Sequence, residues 1–101
     1  MDIFVDPPIA MIPAETVDQI MNAAVIEEVV GDYVELKKSG SALRGLSPFT
    51  NEKTPSFYVL PAKGIFKCFS SQKGGSLVTF LMEIEKVSYP EALRMLAKRY
   101  N

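Results

Sequence analysis

The chain has 101 residues, 48% of them hydrophobic and 23% charged, a formal net charge of −1, no histidine and one cysteine, Cys68. That size suits one domain with a modest core, and the composition is ordinary for a globular protein. The inventory excludes an intramolecular disulfide, a structural zinc site built from thiols and imidazoles, and histidine general-base chemistry; no apolar run is long enough to span a bilayer.

In chain order, residues 1–12 hold Pro7 and Pro8 among mixed apolar residues and read as a flexible arm. Pro13 suits the first turn of a helix. Val17, Ile20, Met21 and Ala24 then recur at the spacing of one helical face, with Glu15 and Asp18 near its start. A second helical turn is expected over Ile26 to Val30, ending at Gly31. From there the period shortens. Tyr33 to Leu36 reads as a strand, Lys37 to Ser41 as a turn, Leu43 to Leu46 as a second strand, and Pro48, Asn51 and Pro55 as a loop. Ser56 to Leu60 and Ile65 to Phe69 are third and fourth strands about a Pro61-Ala62-Lys63-Gly64 turn. Gly74-Gly75 closes the sheet region, and Ser76 caps a helix carrying Leu77, Phe80, Leu81 and Ile84. Ser88-Tyr89-Pro90-Glu91 has the form of a capping box before a last helix faced by Leu93, Leu96, Ala97 and Tyr100. The expected architecture is α+β: a small antiparallel sheet of about four strands, with N-terminal and C-terminal helices packed on it.

Charge is unevenly spread. Residues 1–36 carry eight acids and no Lys or Arg, whereas residues 37–73 carry seven bases against Glu52 alone. A basic block of that kind fits a local anionic partner, or equally a solvated sheet face whose lysines serve solubility. The single free thiol suits a reducing cytoplasm. The opening Met1-Asp2-Ile3-Phe4-Val5-Asp6 lacks the basic start of a secretory signal.

Two short knuckles, Ser47-Pro48-Phe49-Thr50 and Cys68-Phe69-Ser70-Ser71, flank the presumed hairpin. Each has two small residues separated by two others, the ligand spacing of a zinc ribbon. Only Cys68 is a good zinc ligand, because Ser and Thr hydroxyls stay protonated near neutral pH. The layout is that of a metal site without its chemistry.

The run Ser47-Pro48-Phe49-Thr50-Asn51-Glu52-Lys53-Thr54-Pro55-Ser56-Phe57 resembles the CPFHNEKTPSF signature of the N-terminal zinc-binding domain of bacterial DNA primase. Lys67-Cys68-Phe69-Ser70-Ser71-Gln72-Lys73-Gly74-Gly75 resembles its CFGC–GG segment. Phe80-Leu81-Met82, Ser88 to Ala92 and Leu96-Ala97 match its helical tail, so the likeness runs from about residue 13 to 100. The resemblance implies a domain over residues 13–101, zinc-ribbon-like, that binds single-stranded DNA template during primer initiation. The nucleotidyl-transfer site would lie in a separate catalytic domain, so no residue here is assigned a catalytic role. The family holds zinc with one His and three Cys, and the matching positions here are Ser47, Thr50, Cys68 and Ser71. The expectation is therefore a metal-free remnant, with no cofactor, in which hydrogen bonds among these side chains and packing by Phe49, Phe69 and the helices replace the ion.

Single-strand recognition needs cations for phosphates and flat rings for unstacked bases. The candidates are Arg44, Lys53, Tyr58, Lys67, Phe69 and Lys73, expected together on the outer face of the sheet. The implied partners are template strand, primase catalytic domain and replicative helicase, and no membrane. The alternative is a protein-interaction or structural module docking on a primase core or helicase, with the acidic N-terminal third as its contact.

Overall fold

Two alternating tetrapeptides decide the architecture. In Phe57–Leu60 (here β3) and Ile65–Cys68 (β4), successive side chains leave on opposite faces. Phe57, Val59, Phe66 and Cys68 are buried, whereas Tyr58 and Lys67 are only partly covered. The two strands pair antiparallel, Phe57 opposite Cys68 and Val59 opposite Phe66, so the apolar residues make one oily face. The structure, a computed structural model, describes residues 12–100. The arm expected over residues 1–12 lies outside those residues except for Ile12.

Around the central pair the described residues build a five-stranded antiparallel meander in the order β1-β2-β3-β4-β5, one strand more than the sequence predicts. Strand β1 is Lys37–Ser39, β2 is Ala42–Gly45 and β5 is Lys73–Ser76. Helices α1 (Ala14–Ala23) and α2 (Ile26–Gly31) precede the sheet; α3 (Leu77–Glu85) and α4 (Tyr89–Tyr100) follow it. The oily face is closed by Leu77, Val78, Phe80 and Leu81 of α3, Ala92, Leu93 and Leu96 of α4, and Val29 and Val30 of α2. At its centre the rings of Phe49, Phe57, Phe66 and Phe80 lie 5.5 to 6.2 Å apart, at offset and edge-on angles that suit the ring quadrupole. Ser76 caps α3 as expected, its hydroxyl accepting from the Thr79 N–H at 3.3 Å.

Two expectations change. Tyr33 to Leu36 is not a strand: the N–H groups of Tyr33 and Val34 both donate to the Val30 carbonyl, so this stretch winds off α2. Its alternation reports Val34 in the core and Tyr33 edge-on to Phe80 at 5.6 Å. The strand comes later, at Lys37–Ser39, and turns back through Gly40-Ser41, since Ser39 pairs with Ala42. Likewise Gly74-Gly75 does not end the sheet but runs inside β5. Glycine is a poor strand residue, yet at Gly75 helix α3 leaves little room for a side chain. Gly75 has φ +143, and a Cβ there would lie 3.1 Å from Thr79.

Gly45 answers the same constraint at the other side of the sheet, where a Cβ would lie 2.6 Å from the Glu35 carbonyl and 2.7 Å from Val34 Cγ1. Backbone cannot yield as a flexible side-chain tip can. Gly45→Ala is therefore expected to lower the unfolding free energy by about 1–3 kcal/mol, the usual range for overpacking, read as an earlier urea midpoint.

Candidate functional site

Ser47 and Cys68 face each other because β2 leads into one knuckle, β4 into the other, and β3 joins both. The Cys68 thiol donates to Ser47 Oγ at 3.1 Å, with Ser70 Oγ 3.4 Å away. Both members are buried: Cys68 is 0% exposed and Ser47 7%. The second link is a hydroxyl chain, in which Ser70 Oγ lies 2.9 Å from Thr50 Oγ1 and 2.9 Å from Ser56 Oγ. Thr50 and Ser56 of this chain also reach the Glu52 carboxylate. It accepts from the Ser56 hydroxyl at 2.7 Å, the Ser47 N–H at 2.8 Å, the Ser56 N–H at 3.2 Å and the Thr50 hydroxyl at 3.4 Å. Ser71, the last of the four spaced positions, stays beside the Cys68 thiol and also accepts from the Lys73 N–H at 3.3 Å.

These interactions shift two titrations. Hydrogen bonds from the Ser56 hydroxyl and the Ser47 N–H pull the Glu52 carboxyl from 4.5 to about 2. Burial pushes the Cys68 thiol up, but the hydroxyls of Ser47, Ser70 and Ser71 outweigh it and bring the thiol down from 9.0 to about 7.

The knuckle residues do not fit zinc. Hydroxyls are poor ligands beside a thiolate, and the hydroxyls of Ser47, Thr50 and Ser71 already serve as hydrogen-bond partners. Among the described residues no group of three His, Cys, Asp or Glu comes together.

The opposite face of the sheet has different chemistry. Register carries one row across every strand: Lys37 opposite Arg44, Arg44 opposite Tyr58, Tyr58 opposite Lys67 and Lys67 opposite Gly74. Residues paired in this way leave on one face, and three steps of ~4.8 Å put Lys37 and Lys67 about 14 Å apart. Phe69 closes the row. Its ring is edge-on to Tyr58 at 5.7 Å, Lys67 Nζ stands 5.8 Å from its centroid, and 56% of it is exposed. Among the described residues no carboxylate pairs with Lys37, Arg44 or Lys67, whereas Glu83 takes Lys73 at 2.8 Å and Asp32 takes Arg99 at 2.6 Å.

Of the six candidates expected on the outer face, Arg44, Tyr58, Lys67 and Phe69 are brought together. Lys53 is an exposed residue of the loop between β2 and β3. Lys73 is not on this face. It pairs with Cys68, so its side chain leaves on the oily side, against the Phe49 ring at 5.8 Å and Glu83. The added strand β5 sets this register. Phe69, for the same reason of position, does not join Phe49 in packing the core. Sequence reasoning missed Lys37, which it assigned to a turn, and missed Glu52 and Ser70 as the centre of the knuckle network. The signal for Glu52 was present: a lone acid amid Thr50, Thr54 and Ser56 in a basic block.

A carboxyl whose folded pKa lies below its unfolded value stabilises the fold fully above about pH 5, and that contribution fades as pH falls from the unfolded value toward the folded one. Stability is therefore expected to decline between about pH 5 and pH 2. Glu52→Gln is expected to unfold at lower urea at neutral pH and to flatten that acid limb.

Comparison with known proteins gives the knuckles and the sheet a context. The CHC2 zinc finger family matches residues 12–101. DNA primase of Listeria monocytogenes is 48% identical over 88 residues, 87% of this chain and 14% of that protein. DNA primase of Mycobacterium leprae is 48% identical over 92 residues, 90% of this chain and 14% of that protein. The crystal structure of Aquifex aeolicus primase, comprising its zinc-binding and RNA polymerase domains, superposes with a TM-score of 0.80 at 44% identity, over 84% of this chain and 21% of that one. This chain thus spans only 14% of the length of these two sequence relatives, and no helix among its described residues is long and apolar enough to cross a membrane. The chain belongs to the CHC2 zinc finger family, the zinc ribbon of DNA primases.

Proposed function

We propose that residues 13–101 form a metal-free unit that holds single-stranded DNA template for a DNA primase during primer initiation. The observation that carries this reading is the row of Lys37, Arg44, Tyr58 and Lys67 ending at exposed Phe69, whose cations no carboxylate among the described residues engages. Phosphates need cations with no carboxylate competing for them, and unstacked bases need flat rings beside those cations. Lys53, exposed on the loop between β2 and β3, is a further candidate cation in this reading. The chemistry of nucleotidyl transfer belongs to a primase catalytic domain, the expected partner of this unit. A replicative helicase is a second expected partner, and the cytoplasm, where unpaired template is exposed, is the expected place of action.

Zinc is not needed in this reading. The Cys68–Ser47 contact and the Glu52 network join the same two knuckles that a zinc ion would join. Metal analysis of the purified protein is expected to find well under one zinc per chain, and a chelator is expected to leave the unfolding midpoint unchanged. Stoichiometric zinc would overturn the metal-free reading without touching the strand-binding one.

Anisotropy of a labelled single strand tests the binding face. Affinity is expected to fall with salt at a slope of about −0.7 per phosphate contact in a log–log plot. Arg44→Glu with Lys67→Glu is expected to reduce affinity about tenfold or more at low salt, while Lys73→Ala stays within about twofold. A flat titration at low salt would instead favour a protein-docking role.

A further inference from the structure

We propose that the cavity beside strand β1 is a pocket for one nucleotide of the bound strand, its base held inside and its phosphate at the mouth. This deepens the strand-binding reading and rests on it. The cavity is a half-open cleft with a volume of about 550 Å³, bordered by the stretch Tyr33 to Glu35, strands β1 and β2 and the loop after β2. That volume is within the range of small-ligand sites.

Its lining divides by chemistry. Lys37, Lys38 and Arg44 supply three cations, and no ion pair among the described residues engages any of them. Glu35 is the one acid in the lining, which leaves a net positive charge of two. The other walls include Leu46, Pro48 and Pro55. Leu46 is 48% exposed and Tyr33 37%, large apolar and aromatic residues beside three cations in one lining. Apolar walls with cations beside them suit an amphipathic ligand with a flat apolar body and an anionic end, and a nucleotide is such a ligand.

Continuity with the polar row supports the assignment. Lys37 and Arg44 belong both to the row and to the cavity lining. A strand following the row from Phe69 toward β1 therefore reaches the cavity without leaving positive surface. Gly45 makes room for the pocket's inner wall, since the close approach of Val34 and Glu35 depends on its missing side chain.

Lys38 and Leu46 line the cavity but are not in the row, so they separate the pocket from the face. Both are exposed, so Lys38→Glu and Leu46→Ser should spare the fold, which a urea melt checks. The probe is an oligothymidylate of about twelve nucleotides, within the site size of small single-strand modules, and a copy carrying one fluorescent purine analogue at each position in turn. The expected result is about a tenfold loss of affinity in either variant, and an analogue signal at one position that disappears in both. If the wild-type protein binds the strand and Lys67→Glu weakens it, but neither cavity variant changes affinity or signal, the pocket is refuted and the face stands. If the wild-type protein binds no strand at low salt, the strand-binding reading falls and the pocket with it.

Discussion

The domain depends on how two turns are tied together at the end of a sheet. In the chemistry typical of this layout, a metal ion gathers thiolates and imidazoles and supplies on the order of 10 kcal/mol of folding free energy. The tie in this chain is made of hydroxyls, one thiol and one carboxylate. Each hydrogen bond of that kind is weak beside a metal–ligand bond, but Glu52 collects four of them, two from the backbone N–H groups of Ser47 and Ser56. Charge on the acceptor strengthens each bond. Phe49, on the same knuckle as Ser47 and Thr50, packs on Phe57, Phe66 and Phe80. Packing and polar closure therefore act on the same few residues, which is why a single small sheet can keep its shape.

Because those knuckles hold the sheet from one side, the two faces are free to differ. One is covered by α2, α3 and α4 and is almost wholly apolar; the other keeps its cations and rings uncovered. The alternation of β3 and β4 enforces this division, and the long register from Lys37 to Gly74 turns scattered basic residues into a line. Charges separated by some thirty positions in sequence become neighbours only through that register. Where a cation falls on the other side, as Lys73 does, it is absorbed by Glu83 and an aromatic ring and becomes part of the fold.

Much of this was readable from residue order. The helices, the β3–β4 hairpin and the cap at Ser76 follow from periodicity and turn chemistry, which act over a few residues. The family likeness was carried by a long signature with a second segment at a fitting distance. The failures share a physical cause. Strand β5 is half glycine, and its glycines answer to the closeness of β4 at Gly74 and of α3 at Gly75 rather than to any local preference. Strand β1 is two lysines and a serine, with no apolar alternation to mark it. Missing these two outer strands misplaced Lys73 and hid Lys37. Glu52 was a different case: a lone acid among Thr50, Thr54 and Ser56 marks a capping carboxylate, but the N–H groups it takes are set only when the turns close around it.

Strand β1 has one more effect. A sheet with open ends presents unpaired N–H and C=O groups to any passing chain, and long flat apolar borders of this sort recruit neighbours into fibrils. This border is three residues long and carries two exposed lysines, whose mutual repulsion would oppose a second copy laid alongside. The same side chains that line the cavity thus guard the meander against self-association, so a substitution that neutralised them would remove a safeguard against aggregation along with part of the proposed binding surface.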